Sequence, residues 1–111
     1  MQLEVQKYLF DIQSAANSIF EYTEGVTDFK EYQKSKLIKR AVERELEIIG
    51  EAMNRLIKVA PDLAINNSRR IVDLRNWIIH GYDKVDDLII WGLLSKDLPL
   101  LKSQVDALLK N

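Results

Sequence analysis

A chain of 111 residues is one ordinary domain, long enough to bury about two-thirds of its unfolded surface without a covalent staple. Hydrophobic residues at 47% and charged residues at 30% exclude a disordered tail, and the absence of cysteine excludes disulfides and thiolate metal or redox sites. Sixteen basic and seventeen acidic side chains leave a net charge of -1, which excludes coating nucleic acid by charge alone but not a local basic patch.

The first predicted element runs from Leu3 to Tyr22. Val5, Tyr8, Leu9, Ile12, Ala15, Ala16, Ile19 and Phe20 recur in three- and four-residue steps, the period of a helix with one buried stripe. Glu24 to Asp28 form a break, with Asp28 placed as the N-cap of a short helix through Phe29 and Tyr32. The longest periodic stretch is Ser35 to Val59. Leu37, Ile38, Ala41, Val42, Leu46, Ile49, Ala52, Met53, Leu56 and Ile57 line one side of it, and charges occupy the rest. At about 1.5 Å per residue it forms a central strut roughly 37 Å long. Pro61 ends it, because proline cannot continue the hydrogen-bond ladder.

Pro61 to Ser68 reads as a turn segment carrying Asn66, Asn67 and Ser68. A helix is predicted from about Arg69 to His80, with Gly81 where a helix C-terminus favours left-handed geometry. After Asp83 to Asp86 comes a helical run through Leu88, Ile89, Trp91, Leu93 and Leu94. Asp97 and Pro99 are expected to form a fresh N-cap and first turn, opening a last helix with Leu100, Leu101, Val105, Leu108 and Leu109. The prediction is a single all-α domain over residues 1–111: an up-down bundle of four main helices plus short helical segments, the last main helix open to a break near Asp97. No apolar run approaches the ~18 residues of a membrane span, and Met1 to Tyr8 lacks the pattern of a secretion signal. The expected location is cytoplasmic.

The segment Arg75-Asn76-Trp77-Ile78-Ile79-His80-Gly81-Tyr82 carries the chemistry. His80, the sole histidine, is the side chain type that takes and gives a proton near neutral pH. Arg75 offers a permanent planar cation suited to a phosphate. Such a pair can cleave RNA without metal: a neutral imidazole removes the ribose 2′-hydroxyl proton, the oxygen attacks phosphorus, and the guanidinium stabilises the phosphoryl charge. Five helical steps of about 100° set Arg75 and His80 roughly 140° apart, whereas Asn76 and His80 share a face. Convergence therefore needs unwinding beside Gly81, a second subunit about a two-fold axis, or both. The alternative reading is structural: His80 ends a helix, Arg75 pairs with Asp73 or another nearby acid, and Tyr82 packs.

The segment Arg75 to Tyr82 resembles the R-x4-H-x-Y signature of HepT toxins in the HEPN (higher eukaryotes and prokaryotes nucleotide-binding) superfamily. The likeness extends to the long helix in Ala41 to Ala52, and to Ile89-Ile90-Trp91 and Asp97-Leu98-Pro99-Leu100-Leu101 in the C-terminal part. The resemblance implies a HEPN-like fold and a homodimeric, metal-independent endoribonuclease toxin that needs no cofactor. It also implies an antitoxin partner with a minimal nucleotidyltransferase (MNT) fold. Arg75 and His80 match the catalytic pair, Asn76 falls at a supporting polar position, and Tyr82 matches the tyrosine that receives AMP from the antitoxin. An adenylate there adds bulk and negative charge where an RNA phosphate should sit. One departure is the stretch from Ala64 to Arg70, which lacks the Pro-Trp pair often found before the arginine helix. The second reading of the same resemblance is a non-catalytic HEPN-like module that docks a nucleotidyltransferase or holds a nucleotide.

Arg69 and Arg70, at the unfavourable end of their helix dipole, are candidates for holding RNA backbone or for a solvated face. Glu43, Glu47 and Glu51 repeat every four residues; Lys39, Arg40, Arg44 and Arg55 nearby favour helix-surface charge pairs over a metal site. Trp77 and Trp91 lie among apolar residues, which favours core or dimer interface over base stacking.

Overall fold

The computed structural model describes residues 1–63, 65, 71–73 and 86–110. Among them there is no strand. The elements are α1 (Leu3–Tyr22), α2 (Phe29–Lys34), α3 (Lys36–Val59), α4 (Asp87–Gly92), a π-helical turn (Leu93–Asp97) and α5 (Leu98–Lys110). Residues 71–73 are also helical; the rest of the helix predicted from Arg69 to His80 lies outside the described residues.

Each boundary has a local cause. Thr23 closes α1 by donating its N–H to the Ile19 carbonyl, with its hydroxyl on the same oxygen at 2.9 Å. Gly25 then turns the chain at φ 85°, a left-handed conformation that a residue without a Cβ adopts freely. The Asp28 carboxylate accepts from the Glu31 N–H at 2.9 Å and starts α2, as the sequence predicted. Ser35 ends α2 and caps α3 through the Ile38 N–H at 3.2 Å. The chain leaves α3 at Val59, two residues before Pro61.

The core forms because α1 and α3 bury matching stripes against each other. From α1 come Val5, Leu9, Ile12, Ala15, Ala16 and Ile19, and from α3 Val42, Leu46, Ile49, Ala52, Met53 and Leu56. Burying each large apolar side chain contributes about 2 kcal/mol. α5 packs on α1 through Leu101 and Val105, joined by a bond from the Gln13 amide to the Asp106 carboxylate at 2.7 Å. α2 bridges α3 and α4. The result is an all-α bundle.

Two expectations, on Leu37 and on Asp97, are corrected. Leu37, placed on the apolar side of α3, is 81% exposed: it lies in the first turn, before that helix meets its neighbours. In α4 the buried residue is Ile90, while Leu88 and Ile89 are exposed, because one turn of helix buries only the positions facing α2 and the core. Asp97 does not break the chain to cap a new helix. Gly92 and Leu98 both keep right-handed helical geometry, so α4 and α5 join through a continuous, widened turn.

Candidate functional site

The predicted site residues Arg75, Asn76, His80 and Tyr82, and the flanking Arg69 and Arg70, lie outside the described residues. The described structure shows what holds the two ends of the segment that carries them. Upstream, Ile71 and Val72 are buried in the core. Downstream, the Asp86 carboxylate caps α4, accepting from the Leu88 N–H at 2.9 Å and the Ile89 N–H at 3.4 Å. Asp87 pairs with Lys39 of α3 at 3.3 Å, both partly buried. The described residues on either side of positions 74–85 are thus anchored, in the core before them and to α3 after them.

Around that downstream anchor the environment is unusual for this molecule. Tyr32 is fully buried, and its hydroxyl has no hydrogen-bond partner among the described residues. Burial first, then the nearby negative charges of Glu43 and Asp87, push its pKa up, so the phenol stays neutral. Burial likewise raises the pKa of Glu43 against the opposing effect of Arg40. The Tyr32 ring lies 5.4 Å from that of Trp91 at an interplanar angle of 31°. Trp91 is partly buried against the core, the packing role favoured by its sequence context.

The acidic repeat on α3 meets arginines. Arg40 reaches Glu43 at 3.4 Å, Arg44 reaches Glu47 at 3.2 Å, and Arg55 reaches Glu51 at 2.9 Å. A surface groove of about 340 Å³ between α1 and α3 has Arg44, Arg55 and Lys7 on its walls. Lys7 pairs with Asp11 at 2.8 Å, so each cation of the groove faces an acid. Phosphate tracks need cations in excess; this groove is charge-balanced and is not one. Among the described residues no three His, Cys, Asp or Glu side chains gather where they could hold a metal ion. Nor, among them, is any helix long and apolar enough to cross a membrane.

One arrangement was missed by sequence reasoning. Asp97 lines a small apolar pocket together with Leu46, Ile49, Ile71, Leu98 and Leu101. Pro99, two residues on, signalled an irregularity at this point, but the sequence favoured a cap over a widened turn.

Among known proteins, no solved structure matches the chain. It is 35% identical over 104 residues to "Putative RNase MJ1380" of Methanocaldococcus jannaschii, covering 93% of this chain and 94% of that protein. It is 32% identical over 114 aligned positions to "Probable ribonuclease HepT" of Thermococcus cleftensis, covering 99% of this chain and all, 100%, of the relative. Residues 12–108 match the family described as "Ribonuclease HepT-like", a span that includes α3, the signature segment and most of α5. The chain therefore belongs to the HepT-like ribonuclease family.

Proposed function

We propose that this protein is a metal-independent endoribonuclease toxin, silenced by an MNT-type nucleotidyltransferase antitoxin. The observation that carries the reading is the family match over residues 12–108, which encloses the Arg75 to Tyr82 signature. His80 acts as the general base: its neutral imidazole takes the proton of a ribose 2′-hydroxyl, and the 2′-oxygen attacks the adjoining phosphorus. An imidazolium then returns a proton to the departing 5′-oxygen, leaving a 2′,3′-cyclic phosphate and a free 5′-hydroxyl. Arg75 stabilises the charge that gathers on the phosphoryl oxygens. On the helix predicted from the sequence Asn76 shares the His80 face and supports the imidazole, and Arg69 and Arg70 hold neighbouring RNA phosphates.

On a regular helix Arg75 and His80 diverge by roughly 140°, so two copies of the segment, one from each protomer of a homodimer, complete the cleft. Tyr82 is the acceptor for AMP. The adenylate places bulk and negative charge beside Arg75 and His80 and so blocks RNA.

The test is RNA cleavage in the presence of chelator. Wild-type protein is expected to cut, and His80→Ala and Arg75→Ala each to lose about 100-fold or more in rate while still folded. Equal rates in all three proteins would overturn the assignment. For the modification, protein mixed with the antitoxin and ATP should gain the mass of one adenylate. A gain that persists in Tyr82→Phe removes Tyr82 as the acceptor.

A further inference from the structure

The corner where α2, α3 and α4 meet holds more recessed negative charge than positive. The side chains of Glu43 on α3 and Asp87 on α4 are only 13% and 22% exposed. Between the helices stands one recessed cation, Lys39 of α3, whose ammonium is engaged with Asp87 at 3.3 Å. Arg40, the other cation, is 69% exposed and reaches Glu43 only at 3.4 Å, where solvent screens much of the attraction. Two recessed carboxylates therefore share a single recessed ammonium.

Glu43 is the less well held of the two. Its hydrogen bond among the described residues is the long one from Arg40. From α2, the Tyr32 hydroxyl is a neutral donor suited to steady a charged carboxylate, yet it is fully buried and bonds to nothing among the described residues. The groups that face Glu43 are thus Lys39 and Arg40 on its own helix, Asp87 on α4 and Tyr32 on α2. Burial raises the Glu43 pKa and the Asp87 charge adds to it, while Arg40 and Lys39 oppose. Tyr32, its own pKa pushed up by burial, stays neutral throughout.

The strain falls on the start of α4. Asp87 is its first residue, next to the Asp86 cap, and Ile90 is its one buried residue. An element this short draws little hold from apolar burial, so charged contacts weigh more in it than in α1 or α3. Charged Glu43 repels Asp87 and competes with it for Lys39; neutral Glu43 does neither.

We propose that this corner is a proton-sensitive latch: in mild acid Glu43 takes up a proton from solvent, its repulsion of Asp87 ends, and Lys39 closes more firmly on Asp87, holding the first turn of α4 to α3. A group that binds its proton more tightly in the folded state stabilises the fold below the ordinary glutamate range. That contribution is lost as pH rises through the raised value.

The test reads the Ile90 amide, which donates to the Asp86 carbonyl at 3.1 Å across the first turn of α4. Its hydrogen-exchange protection, corrected for the intrinsic rate at each pH, is compared with that of Ile49 in α3. Between about pH 7.5 and pH 4.5 the ratio should rise by a factor of about 3 to 10 in wild type. Glu43→Gln, neutral at every pH and of the same shape, should hold the high ratio throughout. Asp87→Asn should show no rise, because Glu43 then has no carboxylate to repel. A flat ratio in wild type would overturn the latch, and a rise that persists in Glu43→Gln would assign the sensing to another group. Urea unfolding gives an independent reading that does not depend on one amide. The Glu43→Gln midpoint should lie above that of wild type at neutral pH, and the gap should close as the pH is lowered. A gap that is constant with pH, or a variant less stable than wild type at neutral pH, would refute the proposal.

Discussion

The pair α1 and α3 and the corner where α2, α3 and α4 meet are built on opposite principles. In the first, two long helices bury only apolar side chains, and the charges stand outside in helix-surface pairs. In the second, short elements enclose a phenol hydroxyl without a partner, a partly buried ion pair and a glutamate with a raised pKa. The first region needs length and periodicity; the second needs particular contacts. This contrast separates a regular scaffold from a corner built on individual contacts. The corner and the π-helical turn carry the irregularities of the described structure.

Damage to the scaffold puts this contrast under the greatest strain. Leu9 is fully buried, and Leu9→Ala should cost about 3 kcal/mol in denaturant unfolding. A loss under ~1 kcal/mol would mean that the α1 and α3 interface is not the main source of stability. A smaller effect, about 1 kcal/mol, is expected from Gln13→Ala, which removes the bond that ties α1 to α5. This effect has a pH signature. The Gln13 and Lys102 hydrogen bonds hold Asp106 below the ordinary aspartate range, so their stabilisation is present above that range and lost as pH falls through the depressed value. The gap between wild type and Gln13→Ala should therefore be full at neutral pH and narrow in acid.

The corner should respond with the opposite sign. Tyr32→Phe deletes a buried hydroxyl that has no hydrogen-bond partner among the described residues, so stability should hold or rise by up to about 1 kcal/mol. Above about pH 10 the advantage of the variant should widen. There the unfolded tyrosine ionises while the folded one resists, which lowers the stability of wild type but not of Tyr32→Phe. A clear loss in Tyr32→Phe at neutral pH would show that the hydroxyl has a stabilising role. The smallest effect belongs to Leu37→Ser, within ~0.5 kcal/mol by thermal unfolding, because Leu37 is exposed. A larger loss would point to burial of Leu37 in an assembled form of the protein.

Most of the scaffold was legible in the sequence. The stripe from Val5 to Ile19 and its counterpart from Val42 to Leu56 were named from spacing alone and are the buried faces observed. Asp28 marked the start of α2 and Pro61 the end of α3 for local reasons that need no tertiary context. Leu37, Leu88 and Ile89 were not legible, since periodicity says which face an apolar residue is on but not whether a neighbour reaches it. Asp97 was misread for a related reason: aspartate before a proline favours both a helix start and a widened turn, and the burial of Leu93 and Leu94 on one side and Leu98 on the other selects the second. The partners of the acidic repeat on α3 followed from spacing, whereas the link from Lys39 to Asp87 joins residues far apart in the chain and carried no local signal.

The order of residues alone was enough for the helical class, the main apolar stripes and the signature from Arg75 to Tyr82, because each rests on spacings within a few turns of chain. It took the assembled fold to enclose Tyr32 without a partner, to set Lys39 against the start of α4, and to bring Asp97 and Ile71 into one pocket. These depend on which surfaces are brought together, and packing, unlike periodicity, is a property of pairs of elements rather than of any one of them.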